Sequence, residues 1–93
     1  MIERDGNTAR ISGALTLGTV LSLRDVVKEL IAAGDVVVDL KAVTEVDSSA
    51  LSLLLEWRRE AQRRNVHIGY RNLPPNLISL ATLYGINDIV AGD

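Results

Sequence analysis

The sequence predicts an α/β domain in which a sheet is flanked by helices, and three observations predict it. The run "DVVVDL", Asp35 to Leu40, is short, β-branched and apolar between acidic residues, which suits a strand buried on both faces, as in sheets covered by helices. Apolar residues at helical spacing precede it from Leu17 to Ala33 and follow it from Ser48 to Arg64. A second strand-like run, Val66 to Tyr70, comes after the second helix, and this alternation argues for layers rather than a bundle or a sandwich.

Each element has its own justification. Asp5-Gly6-Asn7 is a polar turn signal, so Ile2 to Arg4 and Thr8 to Ser12 are expected to form a short hairpin. In the first helix Val20, Leu23, Val27, Leu30 and Ile31 share one face, Arg24, Lys28 and Glu29 lie elsewhere on the wheel, and Gly34 is the stop. "DVVVDL" is expected to be the central strand, with "KAVTEV" as a loop after it. The turn "RNLPP" leads into a last helix from about Asn76 to Tyr84, with Pro74-Pro75 as its start and Gly85 as its cap.

Composition narrows the function classes. The chain has 93 residues and 47% apolar composition, enough for one compact domain over residues 1–93. Ten Lys and Arg against twelve Asp and Glu give a net charge of −2, with no electrostatic case for nucleic acid or an anionic membrane. Cysteine is absent, which removes disulfides, thiolate metal sites and a cysteine nucleophile. "MIERDGNTAR" lacks the apolar core of a signal peptide, and no apolar run approaches the roughly 18 residues of a spanning helix, so a cytoplasmic protein without direct membrane insertion is expected.

The chemistry concentrates in "TEVDSSALSLLLEW", Thr44 to Trp57, where Asp47, Ser48 and Ser49 stand before an apolar run. Asp and Ser are favoured N-caps, since a side-chain oxygen accepts a bond from an unpaired N–H of the first turn. The same geometry also tolerates a phosphoserine, which adds roughly two negative charges beside Asp47 and Glu45. Both readings fit the spacing.

At 100° per residue the apolar arc of this helix covers roughly 200°. Ala50, Leu54 and Ala61 would suffice to bury it on a sheet, so Leu51 and Leu55 at one margin and Leu53 at the other are either surplus contact surface or covered by neighbouring helices. Leu55 lies beside Ser48 and Arg59 on the wheel, an edge suited to a protein partner.

Other chemistry is sparse. "GALTLGT" lacks the lysine and spacing of a phosphate-cradling loop. His67, the sole histidine, lies in the expected strand "VHIGY" and would have to reach Ser48 across elements to form a Ser-His-Asp arrangement. One His and no Cys give no metal site, so neither catalytic residues nor cofactors are expected. Trp57 sits mid-arc as a core residue, and Tyr84 extends the Leu77 and Leu80 stripe toward the sheet. Arg58-Arg59 and Arg63-Arg64, interleaved with Glu56 and Glu60, read as a solvated, ion-paired face.

Over essentially its whole length the chain resembles the STAS domain family, shared by anti-sigma factor antagonists, sulfate-transporter tails and a subunit of a bacterial lipid transporter. The residues that carry the resemblance are "ISGALT", "VVVDLKAVTEVDSSAL" and "ATLYGI", the middle one being the most specific. It implies a STAS-type (SpoIIAA-like) fold, a mixed sheet of four to five strands flanked by helices.

In the antagonists a serine directly after the aspartate is phosphorylated by the anti-sigma kinase, and by position that serine is Ser48. They usually have Gly where this chain has Ala50, and an acidic residue where it has Thr16. The tail "LPPNLISLATLYGIND" instead resembles the MlaB branch, small cytoplasmic STAS subunits of Mla phospholipid ABC transporters.

That resemblance implies a non-enzymatic subunit that binds the transporter's ATPase and supports outer-membrane lipid asymmetry, lying at the inner membrane through that partner. Asp47 would fix the helix start, Ser48 would contact the partner, and the hydroxyl edge of Tyr84 would approach it. Ser49, Ser52, Leu55 and Arg59 are expected to extend the surface along the wheel. The alternative is an anti-sigma factor antagonist switched by phosphorylation of Ser48, with the anti-sigma factor kinase as partner. STAS domains can also pair, so a homodimer is compatible with an apolar margin.

Overall fold

A computed structural model describes residues 1–86. The elements run β1 (Ile2–Asp5), β2 (Thr8–Leu15), α1 (Val20–Ala33), β3 (Val36–Val46), α2 (Ser48–Arg63), β4 (Ile68–Arg71) and α3 (Pro75–Leu83). The strands form one four-stranded sheet in the order β1-β2-β3-β4, antiparallel between β1 and β2 and parallel from β2 through β4. It is the mixed sheet expected, and β3 is internal.

The hairpin forms as the turn signal requires. Gly6 takes φ +62° at the first central position between the paired Asp5 and Thr8, a backbone that glycine adopts without a Cβ clash. β2 then continues to Leu15, three residues beyond the expected Ser12.

Three expectations about β3 and α1 need correction. The segment "KAVTEV" is strand, not loop, so β3 spans eleven residues. Its pairing with β2 shifts twice, between Arg10 and Ser12 and between Gly13 and Ala14. Each shift gives β3 more residues than β2, so Leu40, Val43 and Val46 face the core out of period two, and no alternation shows in the sequence.

β3 is also not buried on both faces. Val36, Val38 and Leu40 are buried while Val37 and Asp39 are half-buried, because the described helices pack on one face. The first helix starts at Val20, not Leu17. Thr19 Oγ1 donates to the Ala14 carbonyl at 2.8 Å and accepts the Thr16 N–H at 3.0 Å, and the turn this makes holds Leu17 and Gly18 outside the helix.

One core cluster joins Ala9, Ile11, Val36, Val38 and Leu40 of the sheet to the apolar stripes of all three helices. α2 lies between α1 and α3. Trp57 is fully buried as expected, and its indole N–H donates to the Arg24 carbonyl of α1 at 3.1 Å, which satisfies the one polar atom its burial would strand. Tyr70 of β4 donates its hydroxyl to the Leu54 carbonyl of α2 at 2.7 Å, and burial pushes its phenol well above the ordinary range. These two bonds fix α2 against both a helix and the sheet.

Of the two readings of the arc's margins, cover by neighbouring helices holds for two of the three leucines. Leu51 is 3% and Leu53 4% exposed, since α3 closes over one margin of α2 and α1 over the other; only Leu55 stays half-exposed. The basic cluster also differs from a uniformly solvated face. Glu60 is buried and pairs with Arg63 and Arg64, while Glu56 turns to α1, 3.0 Å from Lys28 and 3.8 Å from Arg24. Glu56 therefore ties two helices together instead of bracing its own.

Candidate functional site

The parallel strands β2, β3 and β4 point the same way, so their carboxyl ends gather the turn 16–19, the start of α2 and the approach to α3 on one side of the sheet. In open α/β sheets ligands bind outside the carboxyl ends of the strands. The residues Asp47, Ser48 and Ser49 lie there because β3 ends at Val46 and the chain turns directly into α2.

Asp47 is the N-cap, with extended backbone at φ −136° and ψ −172°. One carboxylate oxygen accepts the Ser49 N–H at 2.8 Å and the other accepts the Leu17 N–H at 3.0 Å, thirty residues away in the chain. The Leu17 N–H, with the Ser49 N–H and hydroxyl and the Ala50 N–H, holds the Asp47 carboxyl below its usual range, against a smaller opposing effect of desolvation. Both oxygens thus accept backbone N–H groups of the chain itself.

Ser48 is different. It is the first residue of α2, exposed, and borders a shallow groove of about 520 Å³ whose far wall is α3 with Asn76, Ser79, Leu80, Leu83 and Tyr84. Ser49 and Ser52 border a second groove, against Leu17, Val20 and Leu21 on the α1 side. The α2 start thus sits between two grooves with exposed apolar walls: Leu17 is 74% and Leu21 67% exposed on one side, Leu83 74% and Tyr84 58% on the other.

The expected site residues are only partly brought together. Ser48, Ser49 and Ser52 border the grooves; Asp47 is adjacent but internally engaged. Leu55 is half-buried against the core, and Arg59 is exposed about three turns along α2 from Ser48.

Tyr84 does not extend the stripe onto the sheet. The helix ends at Leu83, and Tyr84 at φ −91° and ψ 3°, followed by Gly85 at φ +72°, leaves the helical track before the stripe is complete. Leu17, Leu21 and Leu83 escaped the sequence reading, although Leu17 and Leu21, four apart and outside the Leu23-Val27-Leu30-Ile31 stripe, carried a signal.

The one serine–histidine pairing that could have formed a triad is excluded by distance. His67 lies exposed beside the first residue of β3, where its carbonyl accepts the Val36 N–H at 3.0 Å, whereas Ser48 follows the last. At about 3.3 Å per residue the two ends of that eleven-residue strand are roughly 30 Å apart. Among the described residues no cluster of three or more His, Cys, Asp or Glu is placed to hold a metal ion. No helix among them is long and apolar enough to cross a membrane.

The fold is similar to solved structures. The anti-sigma factor antagonist SpoIIAA in its unphosphorylated form superposes with a TM-score of 0.74 at 18% identity, over 94% of this chain and 81% of that one. The phosphorylated form of SpoIIAA, the Bacillus cell fate determinant, gives 0.71 at 18% identity over 92% and 83%. A structure of Mglu matches at 0.63 and 23% identity over 81% of this chain, which spans only 19% of that longer one. No curated protein sequence matches. A family model described as "Mlab, STAS domain" matches residues 2–91, nearly the entire sequence, and the chain accordingly belongs to the STAS domain family.

Proposed function

We propose that this STAS domain is a non-enzymatic interaction subunit whose Ser48 face docks onto the ATPase of a phospholipid-transporting ABC system. The observation that carries the reading is the exposed Ser48 hydroxyl between two grooves walled by Leu17 and Leu21 on one side and Leu83 and Tyr84 on the other. Exposed apolar side chains around a polar centre are the anatomy of a protein-contact surface, and a partner would gain by covering them. The description of the matching family model, which names Mlab, supports the transporter assignment. A cytoplasmic position at the inner membrane, held through the ATPase, goes with it.

A second reading has its own support. The likeness to SpoIIAA, solved both with and without its phosphate, favours an anti-sigma factor antagonist switched at Ser48. An exposed hydroxyl at the first residue of a helix can accept a phosphate without disturbing the core, because the first-turn N–H groups and the helix dipole favour negative charge there. The partner would then be an anti-sigma factor kinase.

Affinity capture with the tagged protein, from cytosol and from solubilised membranes, separates the two. Wild type, Ser48→Ala and Ser48→Asp are compared, and partners are identified by mass spectrometry. Capture of an ABC ATPase, lost with Ser48→Asp, is the expected result. An anti-sigma kinase in its place would establish the second reading and retire the first.

A further inference from the structure

Asp47 bonds two segments, the turn 16–19 and the start of α2, that leave the sheet side by side after the paired residues Leu15 and Val46. Leu17 is 74% exposed and so contributes no buried anchor to its own turn. The Thr19 hydroxyl secures the turn through Ala14 and Thr16, but the Leu17 N–H points to the Asp47 carboxylate at 3.0 Å. The other oxygen of that carboxylate holds the first turn of α2 through Ser49. Ser48 lies in the chain between Asp47 and the Ser49 that it caps. Leu21 is placed by the packing of α1 on α2, with the Trp57–Arg24 and Glu56–Lys28 contacts, whereas the Leu17 backbone is bonded to the start of α2 through the Asp47 carboxylate.

We propose that Asp47 is a positioning residue of the recognition surface and not itself a partner contact: it ties the Leu17 turn to the start of α2, so that the partner meets Ser48 and Leu17 at a fixed spacing. This rests on the reading that the Ser48 face docks a partner. Its physical basis is that the carboxylate is the one group here with two acceptor oxygens diverging toward two separate N–H donors. A neutral cap offers a single acceptor. Such a residue would still start the helix and would leave the Leu17 N–H to water.

Two variants isolate that second bond. Asp47→Asn retains one carbonyl oxygen for the Ser49 N–H and presents an NH2 group, another donor, where Leu17 needs an acceptor. Asp47→Ser keeps a capping hydroxyl too short to reach Leu17. Amide exchange of the whole protein is followed by NMR. Leu17 is expected to exchange several-fold faster in both variants, while Ala50 and the amides deeper in α2 keep their protection.

Binding to a purified ABC ATPase is then measured for Asp47→Asn, Leu17→Ala and the double variant. Each single variant is expected to weaken binding about three- to tenfold, and the double variant to bind no more weakly than Leu17→Ala alone, because Asp47 acts through Leu17. Unchanged Leu17 exchange in both variants overturns the tie. Additive losses in the double variant overturn the positioning role and make Asp47 a direct contact. An ATPase that ignores the wild type removes the docking reading and the recognition role with it, an outcome distinct from the exchange result.

Discussion

At position 48 the backbone has just entered α2, and the side chain projects past the last residue of β3 into solvent. Its neighbour Asp47 already supplies the cap, so Ser48→Ala is expected to change stability by no more than about 0.5 kcal/mol, read as a thermal or urea midpoint, while weakening partner capture. A clear loss of stability would show that Ser48 has a structural role at the helix start. Asp47 gives a pH prediction. Its folded pKa is depressed below the ordinary 3.8, chiefly by the Leu17 N–H, so its contribution is complete above the unfolded value and is lost as pH falls through the folded one. Asp39, lowered first by the Asn72 amide and then by the Lys41 N–H and nearby Arg71 and Arg10, has the same sign. The protein is expected to hold its stability from neutral pH down to about pH 4 and to weaken only below that. The Leu17 and Ser49 amide resonances should titrate together with a midpoint under 3.8; separate midpoints would mean that one carboxylate does not serve both.

Among the elements, α2 shows what helical periodicity can and cannot reveal. The wheel correctly identified a wide apolar arc, but which leucines on it meet solvent depends on where α1 and α3 lie, and a wheel contains no neighbours. Leu51→Asp and Leu53→Asp are each expected to cost more than about 3 kcal/mol by burying an unpaired charge. Leu55→Asp, at a half-exposed position, is expected to cost about 1–2 kcal/mol and leave the monomer folded, which circular dichroism melts would resolve. Equal losses at all three positions would show Leu55 to be as deep as its neighbours. β3 illustrates the converse failure. Its two register shifts against β2 erase the alternation by which strands are recognised, so the second half of an eleven-residue strand reads as loop. Glu60 belongs by pattern to a solvated, ion-paired face, yet lies buried because Arg63 and Arg64 pair with it.

For the whole molecule, the bonds that cross layers matter more than any one element's propensity. Tyr70 links β4 to α2, so Tyr70→Phe, which keeps the ring and removes only the hydroxyl, is expected to cost about 1 kcal/mol in denaturant unfolding. The Leu54 carbonyl keeps its place within the helix, which limits the loss. No change would mean that the hydroxyl exchanges its partner for water at no cost. Leu17, Leu21, Leu83 and Tyr84 together also give the partner-free protein a reason to self-associate. Weak, concentration-dependent association is expected by light scattering, reduced by Leu83→Ser; if the variant associates as strongly as wild type, α3 is not part of that contact.

What the sequence determined by itself is what local periodicity and capping chemistry encode. The alternation of strand and helix, the hairpin at Gly6, the aspartate cap of α2, the proline start of α3 and the core role of Trp57 all follow from residue type and spacing over a few positions. The resemblance to the STAS family then singles out Ser48 as a candidate. Only the tertiary structure decided which apolar side chains remain outside, how two register shifts realign β3, and that Asp47 reaches Leu17. Those outcomes depend on groups far apart in the chain arriving within 3.0 Å of one another or closing over one another, and a one-dimensional pattern carries no distance between elements.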